Sequence, residues 1–127
     1  MSYTKKNLKE VTDSAVKGGF SENQEARFAT GDLDAETTGV SFHIVKPGRR
    51  QAFGHKHDDA EEVYVIVRGA GRMRLDDDVI DVAELDAIRV APQVTRKFEA
   101  GDDGLELVVF GPRHEGDGEL DFDFWTD

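Results

Sequence analysis

The sequence predicts an all-β fold in one domain, a sandwich or a barrel, and three observations lead there. From about residue 40 onward, short runs of Val, Ile, Phe and Tyr alternate with Gly, Pro and Asp clusters, as in folds of many short strands and tight turns. Within those runs the side chains follow a two-residue period, which sorts them onto opposite faces of a sheet. A chain of 127 residues with 38% hydrophobic content is enough for one core and too short for two.

The elements follow in order. Residues 1–39 read as an N-terminal arm, with a short helix or extended stretch at 8–16 and an edge strand at 25–29. Candidate strands then fall at 40–45, 51–57, 63–68, 71–75, 79–82, 87–90, 94–99 and 105–110. Turns are expected at Pro47-Gly48, Gly69-Ala70-Gly71, Asp76-Asp77-Asp78 and Gly101-Asp102-Asp103-Gly104. The Asp76–Asp78 run lacks the spacing of a calcium loop and reads as a hairpin turn. Residues 40–112 form the expected barrel core. Residues 113–127 form an acidic and aromatic cap, in which Phe122, Phe124 and Trp125 cover the barrel or a dimer seam.

Parity refines this picture. Met73 and Leu75 share a face opposite Arg72 and Arg74, and Ile88 and Val90 share one opposite Arg89. Val94 and Phe98 flank Arg96 on one face, so Arg96 is expected to point inward. Phe53, His55 and His57 form one row. The 63–67 run is apolar on both faces, as in a strand packed on both sides.

Composition excludes several functions. Sixteen Lys plus Arg against 27 Asp plus Glu give a formal charge of -11, which repels phosphate backbones and anionic membranes. Neither nucleic acid nor membrane is an expected partner. The absence of cysteine removes disulfides, thiolate nucleophiles and Cys-based zinc sites. The first twenty residues carry Lys5, Lys6, Lys9, Glu10, Asp13 and Lys17 without an apolar run, so the expectation is a cytoplasmic protein with no signal peptide. No phosphate loop or dinucleotide fingerprint occurs, so no nucleotide cofactor is expected.

The segment from Gly54 to Gly69 carries the chemistry. His55 and His57 sit at i and i+2 of a strand, on one face, roughly 6–7 Å apart along the backbone. Glu62 can add a carboxylate oxygen from the next strand after the 58–60 turn. Two imidazoles and one carboxylate suit Fe(II), Mn(II), Ni(II) or Zn(II). Tyr64 shares the face of Glu62 and either brings a phenol to the site or packs as a barrel aromatic. His43 reads as a core or surface histidine, and His114 as an exposed loop residue.

These residues resemble the first motif of the cupin superfamily: His-x-His, three or four residues, Glu, six residues, Gly. Here His55-x-His57 is followed by four residues to Glu62 and six more to Gly69, on a Tyr-Val-Ile-Val-Arg-Gly strand end. The leading Gly of the motif falls one residue early, at Gly48. The likeness covers roughly residues 40–110. It implies a small jelly-roll β-barrel, often a homodimer, holding a small-molecule ligand between its sheets. The second cupin motif departs from the pattern: its best register places Arg96 where the fourth metal ligand, a histidine, belongs. An Arg has no lone pair to give a cation. It can balance Glu62 in a metal-free pocket, or grip a substrate carboxylate or phosphate beside a three-ligand metal.

Three functions follow as expectations. The first is a cupin that binds a small polar or anionic ligand, with His55, His57 and Tyr64 as the pocket wall and Arg96 as the anion anchor. The second is a metal-dependent cupin enzyme, an oxygenase, isomerase or lyase, with His55, His57 and Glu62 as ligands. The third is a non-catalytic structural or regulatory barrel with a pocket filled by its own side chains.

Overall fold

The structure is a computed structural model describing residues 2–113 and 116–127. A short 3-10 turn at Leu8–Glu10 and a helix α1 (Ser14–Gly18) precede eight strands: β1 (Gln24–Phe28), β2 (Thr38–Val45), β3 (Gly54–His57), β4 (Glu62–Leu75), β5 (Asp78–Ala83), β6 (Ala87–Val90), β7 (Arg96–Pro112) and β8 (Gly118–Asp121). Asp13 caps α1 by accepting from the Ala15 amide, and left-handed Gly19 ends it. Among the described residues no helix is long and apolar enough to cross a membrane.

All strand pairs are antiparallel, and two long strands organise them. The first half of β4 lies between β6 and the second half of β7, which continues through β2 to β1. The second half of β4 lies between β5 and the first half of β7, which continues through β3 to β8. Sharing β4 and β7 curls the ladder into a jelly-roll β-barrel. Inward-facing Val45, Ile66, Met73, Phe98, Leu105 and Leu107 pack its apolar core, none more than 1% exposed.

The bend of β4 and β7 differs from the sequence expectation. Gly69-Ala70-Gly71 and Gly101–Gly104 were expected to be turns between separate strands, but each lies inside one continuous strand. The ladder shifts register there, between Ile66 and Arg68 and between Gly69 and Gly71. The cause is close backbone approach. Gly69 has φ +86, and a Cβ on it would lie 2.2 Å from the Gly104 carbonyl oxygen. A Cβ on Gly71 would lie 2.0 Å from that of Glu99. Glycine here makes a bulge that turns the corner of the barrel.

Other expectations shift as well. The 63–67 run is not packed on both sides. Tyr64 and Ile66 face the core, but Val67 is 38% exposed, and Phe110, the β7 partner of Val63, is 43% exposed. Residues 51–53 precede β3 rather than belonging to it. The C-terminal segment adds β8, and its end is clamped: Arg50 donates to the Trp125 and Asp127 carbonyls, and Lys97 Nζ donates to the Phe124 carbonyl at 2.9 Å. The Arg50 guanidinium also stacks 4.2 Å from the centre of the buried Trp125 ring.

The glycine bend makes a direct prediction. Gly71→Ala should destabilise the protein by about 2 kcal/mol or more, since backbone must move to admit the methyl. Gly31→Ala, where nothing lies within 4 Å of the new atom, should change stability by less than about 1 kcal/mol. Urea unfolding of both variants checks the contrast.

Candidate functional site

β3 is extended, so His55 and His57 project from one face, and the 58–61 turn returns the chain to start β4 at Glu62. Two residues on, Tyr64 points the same way. The side chains converge on one oxygen, Glu62 Oε1. His57 Nε2 lies 3.0 Å from it, Tyr64 Oη donates to it at 2.7 Å, and His55 Nε2 lies 3.6 Å away. The two imidazole rings stand edge to face, 5.2 Å apart. Glu61 faces outward and pairs with Arg89 at 3.1 Å.

Electrostatics suit a cation. Burial alone would raise the Glu62 pKa, but the hydrogen bonds from His55, His57 and Tyr64 outweigh it and hold the carboxyl well below its usual range. Burial lowers the His55 pKa, favouring a neutral ring with a lone pair to give. Tyr64 is raised well above its ordinary value, first by burial and then by the neighbouring carboxylate, so it stays a phenol. One nitrogen from each histidine and one Glu62 oxygen lie within 4.8 Å of one another. The 3.0 and 3.6 Å separations from the Glu62 oxygen match donors about 2.1 Å from a common ion, so the three residues could hold a divalent cation.

Arg96 occupies a different place from the one expected of an anion anchor. It does point inward, but its side chain is fully buried and does not line the cavity. Its Nη2 donates to the Ala91 carbonyl at 2.9 Å, and its Nη1 lies 3.9 Å from Glu62 Oε1. Opposite His55 in the β3–β7 ladder, the guanidinium stands behind the carboxylate as a counter-charge, out of a ligand's reach.

Two residues gain importance that the sequence did not give them. Asp117 accepts hydrogen bonds from the Asp58, Asp59 and Ala60 amides, the turn joining the histidines to Glu62. Burial would raise its pKa, but those three amides keep it lowered. The same carboxylate lies 3.8 Å from His57 Nδ1, on the side of the ring away from Glu62. Its flanking Gly116 and Gly118 mark a loop, and nothing in the spacing to His57 announces the contact. His43, expected to be a core or surface residue, lines the cavity beside Ser41, whose Oγ lies 2.9 Å from its Nε2. His114 lies outside the described residues.

The cavity above the triad has a volume of about 620 Å³. That is within the usual range for a small-molecule site, so the barrel is not filled by its own side chains.

No protein-family model matches the chain. An uncharacterized protein of Methanocaldococcus jannaschii is 40% identical over 45 residues, a stretch that makes up 35% of this chain and 36% of that protein. A cupin protein from Bacteroides fragilis superposes with a TM-score of 0.72 at 20% identity, over 91% of this chain and 88% of that one. Oxalate decarboxylase from Bacillus subtilis superposes with a TM-score of 0.67 at 20% identity, over 76% of this chain and 28% of that one. At such identities the likeness is one of fold. The chain shares the β-barrel fold of these solved cupin structures.

Proposed function

We propose that the protein is a metal-dependent cupin, which holds a divalent transition ion on His55, His57 and Glu62 and acts on a small molecule in the cavity above them. The observation that carries this reading is the spacing of the donors, 3.0 and 3.6 Å from the two imidazole nitrogens to one carboxylate oxygen. When bound, the ion supplies a Lewis acid to polarise a ligand oxygen. Around it the chain's own groups bind and orient. Tyr64 offers a hydroxyl hydrogen-bonded to Glu62, and Asp117 holds the 58–60 turn so that His57 and Glu62 keep their separation. The fold leaves the reaction unassigned, since one barrel supports many chemistries.

A second reading keeps the cavity and drops the ion. Arg96, 3.9 Å from Glu62, already balances the carboxylate, so the pocket would be a metal-free receptor for a small molecule. Metal content decides between the two. Purified protein reconstituted with Mn(II), Fe(II), Ni(II) or Zn(II) should retain one ion per chain. His57→Ala and Glu62→Gln should each weaken it by more than about 100-fold, and Asp117→Asn by about 10- to 100-fold, as calorimetric titration would read. Wild-type protein that retains no ion leaves the metal-free reading.

His43 provides a pH signature in the cavity wall. Burial, with His55 as a lesser contributor, lowers its pKa from 6.5 to about 4. Between those values the unfolded chain takes up a proton that the folded chain refuses, so stability falls as pH drops from 6.5 towards 4 and this contribution is flat below. The loss amounts to about 3 kcal/mol at most. His43→Gln should abolish this part of the acid sensitivity while retaining the hydrogen bond to Ser41. Urea midpoints of both proteins at pH 7 and pH 4.5 test it, and equal slopes would refute the assignment.

A further inference from the structure

The register of the sheet acts as a ruler across the cavity. Phe28, Ser41, Val109 and Tyr64 are successive cross-strand partners on β1, β2, β7 and β4, and all four line the cavity. Neighbouring strands lie about 4.8 Å apart, so the backbones of Ser41 and Tyr64 stand about 10 Å from each other, with Val109 between them. The adjacent row runs through Ala26, His43, Leu107 and Ile66. On the wall formed by β2, β7 and β4, polar side chains therefore fall at two separate places. Glu62 and Tyr64 mark one on β4, Ser41 and His43 mark the other on β2, and Leu107 and Val109 lie between.

Ser41 and His43 form one unit. Ser41 Oγ lies 2.9 Å from His43 Nε2, and the imidazole stands edge-on to Phe28 with ring centres 5.5 Å apart. Burial lowers the His43 pKa to about 4, so its ring is neutral at pH 7 and offers no charge to a ligand. A serine hydroxyl has one donor and two acceptor sites, and one bond to a neutral imidazole uses a single one of them. If Ser41 donates to His43, both its acceptor sites remain; if it accepts, a donor and an acceptor remain. A ligand hydroxyl, which both donates and accepts, fits either case.

The stretch between the two polar places is apolar, and Phe20 and Phe53, edge to face at 5.3 Å, add aromatic surface elsewhere in the lining. A ring-sized apolar section of a ligand would cover it. Arg113 also lines the cavity, beyond the end of β7, and donates from Nη1 to the Ala35 carbonyl at 2.7 Å. Recognition at Ser41 works by hydrogen bonding, so it leaves the overall charge of the ligand open.

We propose that Ser41, held by His43, is a specificity-determining residue that binds a neutral hydroxyl at one end of an elongated ligand. The apolar middle of that ligand lies over Leu107 and Val109, and its other polar end meets the His55, His57, Glu62 and Tyr64 group. This rests on the cavity being the ligand site, as in the preceding section, and draws no support from a bound ion.

Calorimetric titration with three neutral probes tests it on the full chain, both reconstituted with Mn(II) and metal-free. The probes are 2-naphthol, 2,6-dihydroxynaphthalene and 1,3-dihydroxynaphthalene, whose two hydroxyls share one ring. The 2,6-diol should bind about 5-fold or more tightly than 2-naphthol, the gain of one well-placed neutral hydrogen bond over the about 2-fold that its symmetry supplies. The 1,3-diol, too short to reach Ser41 from the other end, should gain about 2-fold at most. Ser41→Ala should cut the advantage of the 2,6-diol to about 2-fold while leaving 2-naphthol affinity within about 2-fold of wild type. Ser41→Thr, which keeps the hydroxyl, should retain the advantage. Should Ser41→Ala fail to fold, Ser41→Cys, a weaker hydrogen-bonding group of similar size, takes its place. Equal gains for the two diols, or an advantage that survives Ser41→Ala, overturns the role of Ser41. Failure of all three probes to bind overturns it as well, while metal content, measured separately, decides the ion independently.

Discussion

A carboxylate taken out of water has to be compensated where it lies, and Glu62 imposes that requirement on the whole interior. It is answered from four directions: His55 and His57 on β3, Tyr64 on its own strand, and Arg96 on β7. Meeting the requirement brings three separate strands to one point, so the site and the barrel depend on the same registers. A one-residue slip of β3 would turn both imidazoles outward and put Gly54 and Lys56 in their place. The carboxylate would then keep only its own strand's phenol and the guanidinium.

The best register of the second cupin-like motif puts Arg96 where a histidine belongs, and its effect is a change in who neutralises Glu62. With a ligating histidine at that position, an ion would be the only cation near the carboxylate. Here a permanent, fully buried cation is already present 3.9 Å from it. Asp117 offsets that cation from the other side of His57. Among the described residues, Arg96 and Asp117 both contribute to the local field at the triad. Burial on the scale of Arg96 makes each of them costly to leave unpaired.

How much of this could be read from residues alone varies with the physics. The His55/His57 row and the inward Arg96 follow from strand parity, and the structure places those side chains as parity requires. The bend of β4 and β7 was hidden because a glycine-rich run looks the same whether it reverses the chain or lets two backbones touch. Gly69 and Gly71 distinguish themselves only by the carbonyls of Gly104 and Glu99 facing them. Asp117 was unreadable for a similar reason. It acts on the 58–60 amides across nearly sixty positions of chain, and backbone donors leave no mark in a sequence. The direction in which Arg96 points was legible, but its depth was not, since the depth depends on what lies between the guanidinium and the cavity.

One feature of β3 links the site to the far end of the chain. Its ladder to β7 consists of the single pair His55–Arg96, whereas four successive residues, Gly54 to His57, pair with β8. Most of the anchorage of the histidine strand therefore comes from residues 118–121, which are fixed in turn by the Arg50 and Lys97 clamp on the last few carbonyls. An ion held on the triad would therefore be coupled to docking of residues 118–121: whatever tightens one would slow local opening of the other. Amide exchange in the final strand would thus report events at the histidines, and a fusion appended after Asp127 would sit on a handle attached to the site.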